Sequence, residues 1–344
     1  MDVPLAVRML GRSLKRDRWK HDWGRTIGID RGPVSDEMWA ALSAFDRRFV
    51  RTMRDGPPAY REHGRDYTAF YRSIGQSRCL AACSPTGAVV GTICLSRTTM
   101  HAPGRMARHA VCASSLRIIP EERAGAALPL LLGRAVLWTI PRASALFGVI
   151  IDGSTVGPER ITRRLGIPGV RTLGVVRSIT FPTAGAEAAW ITDAVDVPEA
   201  QVRSAYGKLM RGFVRFGLGD PVQRSRRAPR WIMLADGSAC ACLEDYLATK
   251  RYIAADGGAA IDMSHLSCLG FRDVRSCVRI VRAALAMAGA AGVPLLQIKV
   301  DASLADDLVR RIGIAPEYDC HARVCGYALG SVDGAPWSMH STEI

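Results

Sequence analysis

Trp39, Leu42, Phe45 and Phe49 recur at the three- and four-residue spacing of a helix with one apolar face, and Ser35 stands where that helix needs an N-cap. The pattern predicts a strand over 26–30, a helix over 35–50 and a second helix around 67–74. Two strand-like runs over 78–84 and 88–97 flank Pro85, Thr86 and Gly87 as in a hairpin, and a third long strand covers 109–119. Pro120 ends that strand. The next stretch is helical in pattern over 124–140, with Pro129 near enough to the start to be tolerated. A strand over 145–151 then runs into Asp152, a short helix over 158–165 closes at Gly166, and a last strand covers 171–181. An antiparallel meander followed by strand, helix and strand predicts a mixed sheet with one parallel crossover.

The second half repeats the pattern more loosely. A strand over 188–195 and a helix over 199–216 precede strands over 231–235, 239–249 and 259–269. A long helix over 273–290, a strand over 294–300, a helix over 304–312 closing at Gly313 and a strand over 323–329 complete it. The run ALFGVIIDGS followed by ITRRLGI in the first half matches PLLQIKVDAS followed by LVRRIGI in the second. Internal duplication is the economical reading. The chain is therefore expected to be α/β, with two tandem mixed β-sheets and flanking helices. The divisions are a basic leader over 1–25, a first domain over 26–185, a second over 186–335 and a tail over 336–344.

Composition sharpens this in three places. The 344 residues exceed one ordinary domain and are 48% hydrophobic, yet no window of 18 apolar residues is free of charge, so no membrane span is expected. In the leader the basic residues follow the short apolar patch, the reverse of a secretory signal, which points to the cytoplasm. The ten cysteines contain no CxxC pair and read as reduced, buried thiols with no metal; Cys320, His321 and Cys325 are the nearest approach to a ligand cluster. A formal charge of +14 suits nucleic acid, an anionic surface or a polyanionic ligand, and part of it is concentrated at Arg224, Arg226, Arg227 and Arg230.

The chemistry is concentrated in LRIIPEERAGAAL, residues 116–128. An apolar strand ends at a proline, turns through small residues and enters a helix, which leaves the first helical N–H groups facing outward as an anion site. This segment resembles the acyl-CoA motif of the GNAT acyltransferases, the GCN5-related N-acetyltransferases, in which such a strand is followed by Arg/Gln-x-x-Gly-x-Gly/Ala. The resemblance extends through the next strand, its Asp152 and the ITRRLGI segment, and covers most of residues 26–181. Two alignments of the motif compete. One sets Gly125 and Ala127 on the small positions and puts Glu122 in place of the Arg. The other sets Arg123 on the Arg position and puts Ala126 in place of the first Gly.

The resemblance implies two GNAT-like sheets and direct acyl transfer from acetyl-CoA, or another acyl-CoA, to the amine of a small molecule or amino acid, with no metal. It implies a cofactor site at Leu116, Arg117, Ile118, Arg123, Ala124, Gly125, Ala126 and Ala127. The position of the family's base falls on Cys112, with His109 nearby and Asp152 a further candidate; that of its acid falls on Thr162. In the second half LSCLGFRDVRSC stands at the corresponding place without the small-residue series, and that copy reads as structural. The alternative is a non-catalytic protein on the same scaffold that senses acyl-CoA or binds nucleic acid. No helix-turn-helix, zinc-finger or RNP-like motif supports the nucleic-acid version.

Overall fold

The computed structural model describes residues 26–29, 32–50, 58–123, 125–152, 170–256, 258–327, 332 and 334–340. Strand β1 (Thr26–Ile29) leads to helix α1 (Asp36–Arg47), whose start is fixed by the Ser35 hydroxyl accepting from the Met38 amide at 3.3 Å. Its apolar stripe buries Leu42 and Phe45. Strand β2 (Ala59–His63) follows, and the helix expected around 67–74 is the single turn α2 (Ala69–Arg72). The expected meander is β3 (Gln76–Cys83), β4 (Val89–His101) and β5 (Arg108–Ile118). A 3₁₀ turn over Pro120–Glu122 enters α3 (Ala127–Thr139), which crosses back to β6 (Ala145–Ile151). Strand β7 (Arg171–Pro182) ends this half. The helix expected over 158–165 lies outside the described residues, as does the leader.

The second half comprises β8 (Ala194–Asp196), α4 (Glu199–Leu209), β9 (Val214–Phe216), α5 (Pro221–Arg224), β10 (Arg230–Leu234) and β11 (Ala239–Glu244). It continues through β12 (Lys250–Ala254), β13 (Met263–Phe271), α6 (Val274–Ala290) and β14 (Leu295–Asp301). Helix α7 (Ala302–Ile312), β15 (Tyr318–Tyr327) and β16 (Trp337–Ser338) complete it. Most of the strand expected over 188–195 is a 3₁₀ turn, Ala188–Asp193. Helix α7 ends as its sequence requires: Gly313 takes φ 78°, a left-handed conformation that a side chain would strain.

The duplication is visible in the backbone. Strand β5 passes through α3 to a parallel β6, as β13 passes through α6 to a parallel β14. In each case the first strand carries a non-glycine residue at positive φ, Ser115 at 50° and Cys268 at 49°. Each stands three residues before its strand ends, where the register against the neighbouring strand shifts. A left-handed bulge at matching places in two sequences this different is a shared device.

The two expected sheets run on as one of 14 strands, with the path β1-β3-β4-β5-β6-β15-β7-β14-β13-β11-β10-β8. The halves exchange their last long strands. Strand β15 lies between β6 and β7, while β7 pairs with β14. A separate two-stranded sheet also ties the halves together, with β2 against β12 and His63 opposite Lys250. Residues 337–340, read from the sequence as tail, are buried: Trp337 lies in a third core with Cys112, Phe147 and Phe216 at the junction of the halves.

Candidate active site

The site is built where β5 and β6 part. Their parallel pairing runs from Ala110 opposite Ala145 to Ala113 opposite Gly148, and then stops. Strand β5 continues to Ile118 and β6 to Ile151, so beyond Ala113 the β6 side of β5 has no strand partner among the described residues. The result is a fork with the Ser115 bulge on one arm.

At the end of that arm the turn into α3 is closed by its own backbone. The Arg123 amide donates to Pro120 O at 3.3 Å and the Gly125 amide to Glu122 O at 3.0 Å. Two of the amides expected to face a pyrophosphate are thus engaged in the turn. The helix starts at Ala127 rather than 124, and its N-cap, Ala126, offers no side-chain acceptor. Pro129, the third helical residue, has no N–H. The first N–H groups of α3 and the positive end of its dipole therefore carry the anion-binding capacity.

The second copy has the same fork, and the chain itself occupies it. The Asp273 carboxylate caps α6, accepting from Ser276 N and Ser276 Oγ, each at 2.8 Å. Between the arms runs the segment 337–340. The Trp337 amide donates to Asp301 Oδ2 at the end of β14 (2.9 Å), and the bulge amide of Cys268 donates to His340 Nδ1 (3.2 Å). Since Nδ1 accepts, Nε2 carries the proton and donates to Phe216 O at 2.9 Å. Burial pushes the His340 pKa down to about 4.

Behind the first copy's bulge lies a buried polar chain. The Ser115 hydroxyl is 2.7 Å from Tyr71 Oη, Tyr71 Oη is 3.1 Å from His63 Nε2, and His63 Nδ1 is 3.1 Å from Asp46 Oδ2. The other Asp46 oxygen holds Arg117, whose guanidinium also reaches Tyr67 Oη and lies over the rings of Phe45 and Phe49. Burial alone would raise the Asp46 pKa, but Arg117 and His63 hold it below the ordinary carboxylate value.

Comparison with known proteins adds the frame. No family model matches the chain, and no curated protein matches its sequence. Among solved structures, N-myristoyltransferase of Saccharomyces cerevisiae with bound myristoyl-CoA and inhibitors superposes with a TM-score of 0.59 at 8% identity, over 88% of this chain and 80% of that one. A second structure of that enzyme with bound myristoyl-CoA gives 0.59 at 9% identity, over 91% and 86%. The GCN5-related glucosamine N-acetyltransferase region of a fungal multi-domain GH3 β-N-acetylglucosaminidase gives 0.54 at 12% identity, over 88% of this chain and 38% of that one. This is the tandem GNAT fold.

Within the tandem GNAT fold, the residues singled out from the sequence fall into separate places. Leu116 and Ile118 pack into the first-half core, and Arg117 turns inward to Asp46 rather than toward the α3 turn. Ala126 and Ala127 stand at the start of α3; Ala124 and Thr162 lie outside the described residues. Asp152 lies at the outer end of β6, half exposed and 3.3 Å from Arg323. Cys112 is buried between Ser96 and Phe147. His109 stands six residues before Ser115 on β5, roughly 20 Å back along the strand. There it lines an open cleft of about 290 Å³ with Arg97, Gln76 and Gly217.

Sequence reading missed Asp46, His63, Tyr71 and Ser115. One signal was available: Asp46 interrupts the apolar stripe of Leu42, Phe45 and Phe49, where a charge needs a partner. The basic segment is also resolved. Arg224 is fully buried on Glu244, Arg226 and Arg227 pair with Asp262, and Arg230 pairs with Asp196. Each of the four therefore has a carboxylate within 4 Å, with Asp262 shared by Arg226 and Arg227.

Proposed function

We propose that this protein is a CoA-dependent N-acyltransferase that binds acyl-CoA in its first half and transfers the acyl group to the amine of a small molecule or amino acid. The carrying observation is the contrast between the two forks. In the first, the bulged arm and the uncapped α3 start face no strand among the described residues; in the second, Asp273 and His340 fill the matching positions. The first fork then takes the thioester between its arms and the pyrophosphate at the α3 N-terminus, with Ala126 and Ala127 nearest. In this reading a backbone N–H at the bulge stabilises the oxyanion that forms when the amine attacks the carbonyl carbon. The thiolate leaves, and the second copy serves as a rigid wall for the acceptor cleft.

The motif leaves the acyl length open, and the resemblance to acetyltransferases makes acetyl the first group to test. The N-myristoyltransferase neighbour holds myristoyl-CoA, so both chain lengths are tested together. Purified protein is titrated calorimetrically with acetyl-CoA and myristoyl-CoA, and any co-purifying ligand is weighed by mass spectrometry. Saturable binding of either thioester, weakened at least about tenfold by Gly125→Val, is the expected result. Binding of neither overturns the proposal.

A further inference from the structure

Ser115, Tyr71, His63 and Asp46 come from β5, α2, β2 and α1, and with His63 neutral only one donor order satisfies them all. Asp46 is held ionised by Arg117 and can only accept, so His63 carries its proton on Nδ1. His63 Nε2 is then an acceptor, Tyr71 Oη donates to it, and Tyr71 Oη in turn accepts from Ser115 Oγ–H. Every proton points inward, and the Ser115 oxygen keeps lone pairs for an incoming donor. Asp46, His63 and Tyr71 are 1%, 3% and 1% exposed, whereas Ser115 is half-buried. The chain of hydrogen bonds therefore opens at one end, on the bulge where β5 leaves β6. Ser115 is held there at positive φ, a strained conformation for a serine, with its carbonyl fixed by Thr92 Oγ1 at 3.1 Å. At the matching position the second copy has Cys268, whose amide is taken by His340.

We propose that Ser115, Tyr71 and His63 form a proton relay that deprotonates the acceptor ammonium, with Asp46 as its positioning residue. The inference rests on the acyltransferase reading above. The ammonium gives one proton to Ser115 Oγ as the Ser115 proton moves to Tyr71 Oη and the Tyr71 proton to His63 Nε2. The neutral amine forms the C–N bond, the C–S bond breaks, and the thiolate takes the second nitrogen proton. His63 returns the first proton to solvent through the same chain. Asp46 stabilises the imidazolium as it forms. The charged and titratable groups facing His63 are Asp46 from α1, Tyr67 and Tyr71 from the segment around α2, Arg117 from β5 and Lys250 from β12. Burial leads these in lowering the His63 pKa below 6.5, with Asp46 opposing, so the imidazole is neutral and able to accept at pH 7.

The test uses the full chain and four proteins: wild type, His63→Gln, Tyr71→Phe and Ser115→Ala. Binding of acetyl-CoA and myristoyl-CoA is measured by calorimetry, and thiol release with ethylamine and with hydroxylamine over pH 5 to 9. All four should bind acyl-CoA alike. With ethylamine, kcat should fall roughly 10²-fold to 10⁴-fold in the variants, and in His63→Gln the plateau of the wild-type profile should give way to a rate that climbs steadily with pH, because only ethylamine that arrives neutral can then attack. With hydroxylamine, which is unprotonated at neutral pH, the loss should be under about tenfold, because no proton has to be removed before attack. A purely structural role predicts equal losses with both amines. Ser115→Ala leaves the buried trio intact, so it reports even if His63→Gln fails to fold. Wild type that binds no acyl-CoA removes the underlying reading. Variants that bind it and keep the wild-type rate and pH profile overturn the relay alone, whereas wild type that binds it and transfers to neither amine overturns the transfer reading and the relay with it.

Discussion

His340 sets a pH limit on the docked C-terminal segment. Its Nδ1 must stay unprotonated to accept from the Cys268 amide, and burial holds its pKa at about 4 against about 6.5 in the unfolded chain. A depressed histidine pKa gives stability that is complete above pH 6.5 and is lost as pH falls from there, levelling off below the folded pKa. Integrating between those two values, the wild type loses about 2 kcal/mol from this residue by pH 5 and about 3 kcal/mol by pH 4. His63 and His265 are also depressed by burial and add losses of the same sign, so the contribution must be isolated by substitution. His340→Gln removes the titration and costs about 1–3 kcal/mol at pH 7, since the Cys268 and Phe216 groups are left poorly satisfied. Urea unfolding of both proteins at pH 7 and pH 5 is the assay. The gap between them should shrink by about 2 kcal/mol on acidification. A gap that does not change with pH would refute the assigned tautomer and the hydrogen bond that requires it.

Three further outcomes follow from the geometry. Gly125→Val should weaken acyl-CoA binding at least about tenfold by crowding the turn before α3, while Arg272→Ala at the second-copy turn leaves affinity unchanged; both are read by calorimetry. Glu244→Gln should cost about 3–5 kcal/mol in urea unfolding, since it leaves the fully buried Arg224 without its carboxylate. His109→Ala should change kcat by less than about twofold, because roughly 20 Å of strand separates it from the Ser115 bulge, whereas a base in contact would cost 10²-fold or more.

The parts legible from sequence were those set by local pattern. Helix α1 announced itself by its stripe and Ser35, and the passage from β5 through α3 to β6 by Pro120 and an apolar run on each side. The duplicated segments around Asp152 and Asp301 exposed the tandem arrangement in the sequence itself. Strands β2, β9, β12 and β16 escaped because each has two to five residues and exists only through a distant partner, as when Lys250 finds His63. Ser115 gave no warning, since nothing in a serine predicts positive φ inside a strand. The exchange of β7 and β15 was equally hidden: alternation says that a strand is half-buried and is silent about which strand lies beside it.

That exchange also dictates an order of events when the chain is made. During synthesis from the N-terminus, β6 and β7 emerge long before β15, the strand that must lie between them. Until it arrives, β6 presents a free apolar edge and the first half is an incomplete sheet, the state most open to mispairing with another nascent chain. Completion waits for the last long strand of the described chain, which then closes the centre of the sheet rather than its rim. Closure of the sheet is thus postponed until β15 has emerged and slowed by the distance each contact spans. A polypeptide stalled before β15 would yield no finished half, only a target for chaperones.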